Sequence, residues 1–279
     1  MTTIHTQLLS FRTADQETLH GLLFTPADKS SDLALLLVHG VAMSFYLPPL
    51  AVFGQAVAER GYHAFVINTR GHDWISRAGD LTAFGGATYE TFEDSAMDLD
   101  GALECLTRQG YKRFLLVGHS LGCIKSLMYQ GSRRRRDVVG VVSCSCPKQF
   151  YSARAMEQPE FKQLMEKAEE MVAQGKGEEI LWAPASGAMG MFCARTYVNK
   201  YGKHENNDVR PHARRLDCPH LAIAGGAEHP FFPEYAKELA EASGANGTYK
   251  IVSGSNHFYD KHEPEVIDII THWLEQFKA

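Results

Sequence analysis

Near-continuous apolar runs punctuate the chain at residues 33–40, 63–71, 114–120, 138–147 and 221–230. Runs of this length without polar alternation are the pattern of strands buried on both faces, as in a parallel sheet. A weaker run, "GTYKIVSGSNHF", adds a strand at 247–258. Amphipathic segments of helical length lie between them, at 47–60, 89–108, 121–131, 233–242 and 264–277. Strand and helix in alternation predict an α/β fold with helices on both faces of the sheet. The first stretch, "TQLLSFRTADQETLHGLLFTP", alternates with period two on either side of "ADQE" and predicts a β-hairpin.

The rhythm breaks once. Residues 148–215 contain no buried strand pattern but several charged, helix-like runs, so a largely helical insertion is expected there. The expected organisation is therefore a core in two parts, 1–147 and 216–279, interrupted by an insertion at 148–215.

One junction carries candidate chemistry. In "LLVGHSLGCIKSLMY", Ser120 lies where a buried strand ends and a helix begins, between Gly118 and Gly122. G-x-S-x-G alone is weak, expected by chance roughly 0.1 times in such a chain. In this context it predicts a tight turn with Oγ exposed at the carboxyl edge of the sheet. Side chains at Gly118 and Gly122 would collide with the neighbouring strand and helix. The helix start leaves unpaired N–H groups near any developing oxyanion. Without chemistry, Ser120 would be an ordinary glycine-flanked helix cap.

Other pieces fall in a matching order. "VHGVAM" ends the first parallel strand at His39 and Gly40, which offers the Val41 N–H beside that of Leu121 as an oxyanion hole. "AGGAEHP" places Glu228 after a later strand, and "SGSNHFYD" places His257 after the last. His229 is a rival base, and Asp217 and Asp260 are rival acids. His119 and His39 are expected to pack rather than react.

With H-G-x at 39–41, "NTRGHD" at 68–73, G-H-S-L-G at 118–122, G-x-x-E at 225–228 and N-H-F at 256–258, the chain resembles the α/β-hydrolase superfamily along nearly its whole length. The resemblance implies an α/β-hydrolase fold, with a mostly parallel eight-stranded sheet and the insertion as a helical cap. It implies a Ser120–His257–Glu228 triad and an acyl-enzyme mechanism. Two positions depart from the commoner pattern: the acid is Glu rather than Asp, and Asp73 replaces a glycine. Ester or thioester hydrolysis of a small, apolar or aromatic substrate is the first expectation. C–C bond hydrolysis, acyl transfer or cyclisation on the same triad, and a receptor without turnover, are the alternatives.

Met43, Phe45 and Tyr46 after the oxyanion turn, Met189, Met191 and Phe192 in the insertion, and Phe231 and Phe232 after the acid are candidates for the substrate wall or for core packing. Gly187 and Gly190 could let the insertion move. No metal, nucleotide or dinucleotide motif is present, so no cofactor is expected. The net charge of −5 gives no footprint for nucleic acid. The run "RRRR" at 133–136 is expected to be a solvated helix end. No apolar stretch reaches the roughly 20 residues of a membrane span, and no leader pattern is evident. Six dispersed cysteines suggest a reduced, cytoplasmic protein, with Cys144 and Cys146 pointing to one face of their strand. A small-molecule substrate is the partner expected; a homodimer stays open.

Overall fold

Two strands begin the described chain antiparallel, β1 (Ile4–Arg12) and β2 (Thr18–Pro26). Their connection closes with Thr13 N–H donating to the Glu17 carbonyl at 3.0 Å. The computed structural model describes residues 3–27, 31–78, 83–185 and 188–277. Strands β3 (Leu33–Val38) and β4 (His63–Ile67) follow, and a short hairpin of β5 (Ser76–Ala78) and β6 (Ala83–Gly85) then leaves the sheet. Next come β7 (Arg113–His119) and β8 (Val138–Cys144). A second separate hairpin pairs β9 (Ile180–Ala185) with β10 (Ala188–Cys193), and β11 (His220–Gly225) and β12 (Gly247–Val252) complete the strands.

The main sheet has eight strands in the order β1-β2-β4-β3-β7-β8-β11-β12. From β4 to β12 every neighbouring pair is parallel, while β1–β2 and β2–β4 are antiparallel. The central strands show why their sequence lacks alternation. Ala34, Leu36 and Val38 of β3 enter one apolar cluster, and Leu35 and Leu37 enter the other. In β7, Phe114 and Leu116 part from Leu115 and Val117 in the same way. Both faces are covered, so both must be apolar.

Helices α1 (Leu50–Glu59), α2 (Ser95–Arg108) and α3 (Leu121–Arg133) follow β3, β6 and β7 respectively. The insertion after β8 holds α4 (Tyr151–Glu157), α5 (Pro159–Ala173), α6 (Ala194–Tyr201) and α7 (Arg210–Ala213), and α8 (Phe231–Ala242) and α9 (Glu263–Leu274) belong to the last third. Apolar residues of α1 and α9 cover one face of the sheet, and those of α2, α3 and α8 cover the other.

Three details depart from the sequence-based expectation. The insertion is mostly helical but carries the β9–β10 hairpin. Its strands alternate between a buried face of Leu181, Ala183 and Phe192 and an exposed one of Ile180, Trp182 and Met189. Helix α2 begins at Ser95, not near 89, and the segment before it is loop that buries Glu90. Cys144 and Cys146 do not share a face. The strand ends at Cys144, Ser145 takes φ +55°, and the two thiols enter opposite clusters. All six cysteines are buried and unpaired.

In the "RRRR" run, Arg133, Arg134 and Arg135 pair with Asp100, Asp217 and Asp137. Gly187 lies outside the described residues. Among the described residues, no helix is long and apolar enough to cross a membrane.

Candidate active site

Ser120 sits between β7 and α3 with φ +53° and ψ −124°, a conformation rare for a residue with a side chain. The neighbouring glycines allow it. A Cβ on Gly118 would come 2.4 Å from the Gly122 carbonyl oxygen, and one on Gly122 would come 2.0 Å from that of Val38. The loop after β3 is equally close, since a Cβ on Gly40 would lie 2.9 Å from Ser120 Cβ. The turn is pinned to the sheet by Ser120 N–H donating to the Cys144 carbonyl at 2.9 Å.

Ser120 Oγ lies 3.0 Å from His257 Nε2. On the other side of the ring, His257 Nδ1 lies 2.7 Å from Glu228 Oε2. An ionised carboxylate only accepts, so the ring proton is on Nδ1 and Nε2 is free to take the hydroxyl proton of Ser120. The Glu228 side chain is 1 % exposed and its second oxygen is also engaged. Oε1 accepts from Gly225 N–H and from Ser145 Oγ, both at 2.6 Å, and the Tyr259 hydroxyl lies 2.7 Å from Ser145 Oγ. These donors fix the carboxylate despite its extra methylene.

Rival residues are occupied elsewhere. Asp217 is exposed and paired with Arg134, Asp260 accepts from Asn256, and His229 is exposed beside Phe231. His119 faces away from Ser120 Oγ, and its Nε2–H donates to the His257 carbonyl at 2.8 Å. His39 donates from Nδ1 to the Gly40 carbonyl at 2.7 Å, while its Nε2 accepts from Thr69 N–H at 3.0 Å.

Val41 follows Gly40 directly, and Leu121 is the first residue of α3. Neither backbone N–H has a partner among the described residues, so both are free for an incoming oxygen. Asp73, in place of a glycine, has φ +55° and is bonded to His72 Nδ1 at 2.7 Å. Aspartate is among the residues that tolerate this region.

The structure does not bring the expected substrate-wall residues together on one surface. Phe192 is fully buried inside the insertion against Trp74, Tyr197 and Tyr201, where it packs instead of lining a cleft. Met189 is 56 % exposed, and Met191 shares its face of the hairpin opposite Phe192, so the three form no common wall. Phe45 packs at the edge of the cluster under α1 and α9, with Tyr46 exposed against it. Met43 is half-buried in the turn after Val41. Phe232 lies against His257, and Phe231 is behind it beside His229. The two phenylalanine rings lie 4.3 Å apart, and that of Phe232 is 4.9 Å from the His257 ring. Sequence patterns gave no sign of Ser145, buried inside "SCSCP", or of His119 as a support for the base.

Burial pushes His39 and His119 down to about 3 and His220 to about 4. An unfolded imidazole titrates near 6.5, so below that pH the unfolded chain binds protons the fold refuses. Stability is complete above pH 6.5 and is lost as pH falls, each ring contributing about 1.4 kcal/mol per pH unit. Asp98, raised to about 6 by burial against the pull of Arg70, acts the other way, but it is one group against three. The melting temperature should therefore drop from pH 7 to pH 5. A flat profile would show that the rings are not held neutral.

Such a serine, held on a strained turn with a base, an acid and two free N–H groups around it, can attack a carbonyl and stabilise the tetrahedral oxyanion. The model of the alpha/beta hydrolase family matches residues 35–268. None of the curated proteins matches the chain in sequence. Among solved structures it is similar to the alpha/beta hydrolase GrgF from Penicillium sp. sh18, at 18 % identity over 97 % of each chain with a TM-score of 0.69. It is also similar to Est1E from Butyrivibrio proteoclasticus with bound ferulic acid, at 14 % identity over 96 % of this chain and 99 % of that one with a TM-score of 0.70. An esterase of Pyrococcus furiosus aligns at 16 % identity over 98 % of this chain and 91 % of that one, with a TM-score of 0.67.

Proposed function

The chain belongs to the alpha/beta hydrolase family, and on that footing we propose that it is a serine esterase acting on a small ester or thioester with an apolar or aromatic acyl group. The observation that carries this is the unbroken line from Ser120 Oγ through His257 to Glu228, at 3.0 and 2.7 Å. Ser120 attacks the acyl carbonyl as His257 Nε2 takes its proton, and Glu228 stabilises the imidazolium. The Val41 and Leu121 N–H groups hold the oxyanion, each worth roughly 3 kcal/mol. His257 then returns the proton to the leaving group, and water releases the acyl group by the same steps in reverse. Residues 148–215 serve as a cap that sets substrate choice.

A fluorophosphonate probe and a panel of esters and thioesters graded by acyl bulk test this together. Intact mass should show one adduct, mapped to Ser120, and at least one substrate should turn over. Absence of both would overturn the proposal.

The aromatic pair beside the base supports the aromatic side of the substrate range, and Est1E, of the same fold, is known with ferulic acid bound. Replacing Phe231 with Ala should lower kcat/KM for aromatic-acyl esters about five- to tenfold relative to acetates, the worth of one ring contact. An unchanged ratio would assign Phe231 to packing alone. Phe192→Ala should instead cost about 3 kcal/mol of stability, read by denaturant melts, with little change in substrate preference.

A further inference from the structure

Three fully buried charges lie behind the oxyanion turn. Glu90 accepts from Lys125 Nζ at 2.8 Å through Oε2 and from Lys200 Nζ at 2.9 Å through Oε1, and all three side chains are 0 % exposed. Lys125 comes from α3, Glu90 from the loop before α2, and Lys200 from α6 of the insertion. Space is reserved for the carboxylate, because a Cβ on Gly71 would lie 1.8 Å from Glu90 Cδ. Lys200 also donates to the Ala87 carbonyl at 3.3 Å, and the Arg70–Asp98 pair stands alongside, with Asp98 close enough to sense Lys125. One carboxylate faces two lysines, and burial pulls Lys200 toward its neutral form against the attraction of Glu90.

Lys125 Nζ also lies 2.8 Å from Thr69 Oγ1, which lies 3.2 Å from His39 Nε2. Lys125 Nζ donates to Thr69 Oγ1, whose own hydrogen is within reach of His39 Nε2. His39 Nε2 accepts from the Thr69 N–H, so the ring proton is on Nδ1 and donates to the Gly40 carbonyl. The Gly40 carbonyl and the Val41 N–H are the two ends of one planar peptide group. A hydrogen bond accepted at the oxygen polarises the amide and strengthens its N–H as a donor.

We propose that the line Lys125–Thr69–His39 orients and polarises the Gly40–Val41 peptide for oxyanion stabilisation, and that Lys200, through Glu90, ties this to the seating of the insertion. The inference rests on the proposed role of Ser120 and Val41. These residues touch no reacting atom and are positioning residues. Anchoring alone would not call for them, because apolar side chains fill such space at least as favourably as a buried ion pair. A directed chain ending on the oxyanion peptide needs a donor-only group at its head, and Lys125 is one.

Thr69→Val removes the hydroxyl while keeping the side-chain shape and every charge, and Thr69→Ser keeps the hydroxyl. In Thr69→Val, kcat on a chromogenic ester should fall about tenfold with KM within about twofold. Affinity for a trifluoromethyl ketone, whose hemiketal oxyanion occupies the same hole, should fall by a similar factor. Thr69→Ser should stay within about twofold of the parent, and Lys200→Met should fall between the two. An unchanged kcat in Thr69→Val, or Thr69→Ser as poor as Thr69→Val, would overturn the proposal. Nitrogen-15 spectra of the parent protein give an arm independent of folding of the variants and of turnover. They should place the His39 proton on Nδ1, and a proton on Nε2 would overturn the line. Failure of Ser120 to take a fluorophosphonate would instead sink the esterase proposal and leave the His39 tautomer as a separate result.

Discussion

Ser120→Ala should lower ester turnover by about 10⁴-fold or more, the scale on which a serine nucleophile is lost, and should take no fluorophosphonate adduct. The fold should survive. Alanine keeps the Cβ seated against Gly40, and no core volume is removed. The base left without a partner has a side chain 23 % exposed, so water replaces the lost hydroxyl. The melting temperature is therefore expected within a few degrees of the parent. A folded variant that keeps most of the parent's activity on every ester tested would place the nucleophile elsewhere.

Glu228→Gln is the second large effect, and the surroundings of the carboxylate say why. Oε1 accepts two hydrogen bonds, from Gly225 N–H and from the Ser145 hydroxyl, and the first of these donors is fixed by the backbone of β11. A glutamine keeps its carbonyl oxygen at that position, which leaves its NH2 facing His257. Two donors then oppose each other unless the ring moves its proton to Nε2, the nitrogen that must receive the proton of Ser120. Together with the lost stabilisation of imidazolium, kcat should fall by about 10³- to 10⁴-fold, with KM little changed. A Gln variant as active as the parent would show that Glu228 is not the acid.

The sheet and the three side chains of the proposed triad were legible for related reasons. Strands buried on both faces have to be apolar throughout, and Ser120 and Glu228 stood just after such runs, β7 and β11, while His257 followed the weaker run of the half-exposed edge strand β12. Steric demand made Gly118 and Gly122 readable as well. The substrate wall was not legible, because Met189, Met191 and Phe192 are all apolar and only strand alternation decides which faces inward. A charged, helix-like insertion gave no warning of a hairpin there, and Phe192 went to its interior. Cys144 and Cys146 were misplaced because strand spacing was carried through Ser145, whose positive φ ends it. Lys125 and Glu90 fall in segments whose pattern predicts helix, 121–131 and 89–108, and nothing local marks either as buried. Their burial depends on partners 35 and 110 residues apart in the chain, beyond any local pattern.

Strand β12 is one edge of the sheet, bonded among the described residues to β11 alone, and it carries His257 just past its end. During synthesis the proposed nucleophile at 120 emerges first, the proposed acid at 228 much later and the proposed base last. The central strands can close around Ser120 while no base exists to activate it. On the proposed triad, the site is completed only when this last strand takes its place beside β11.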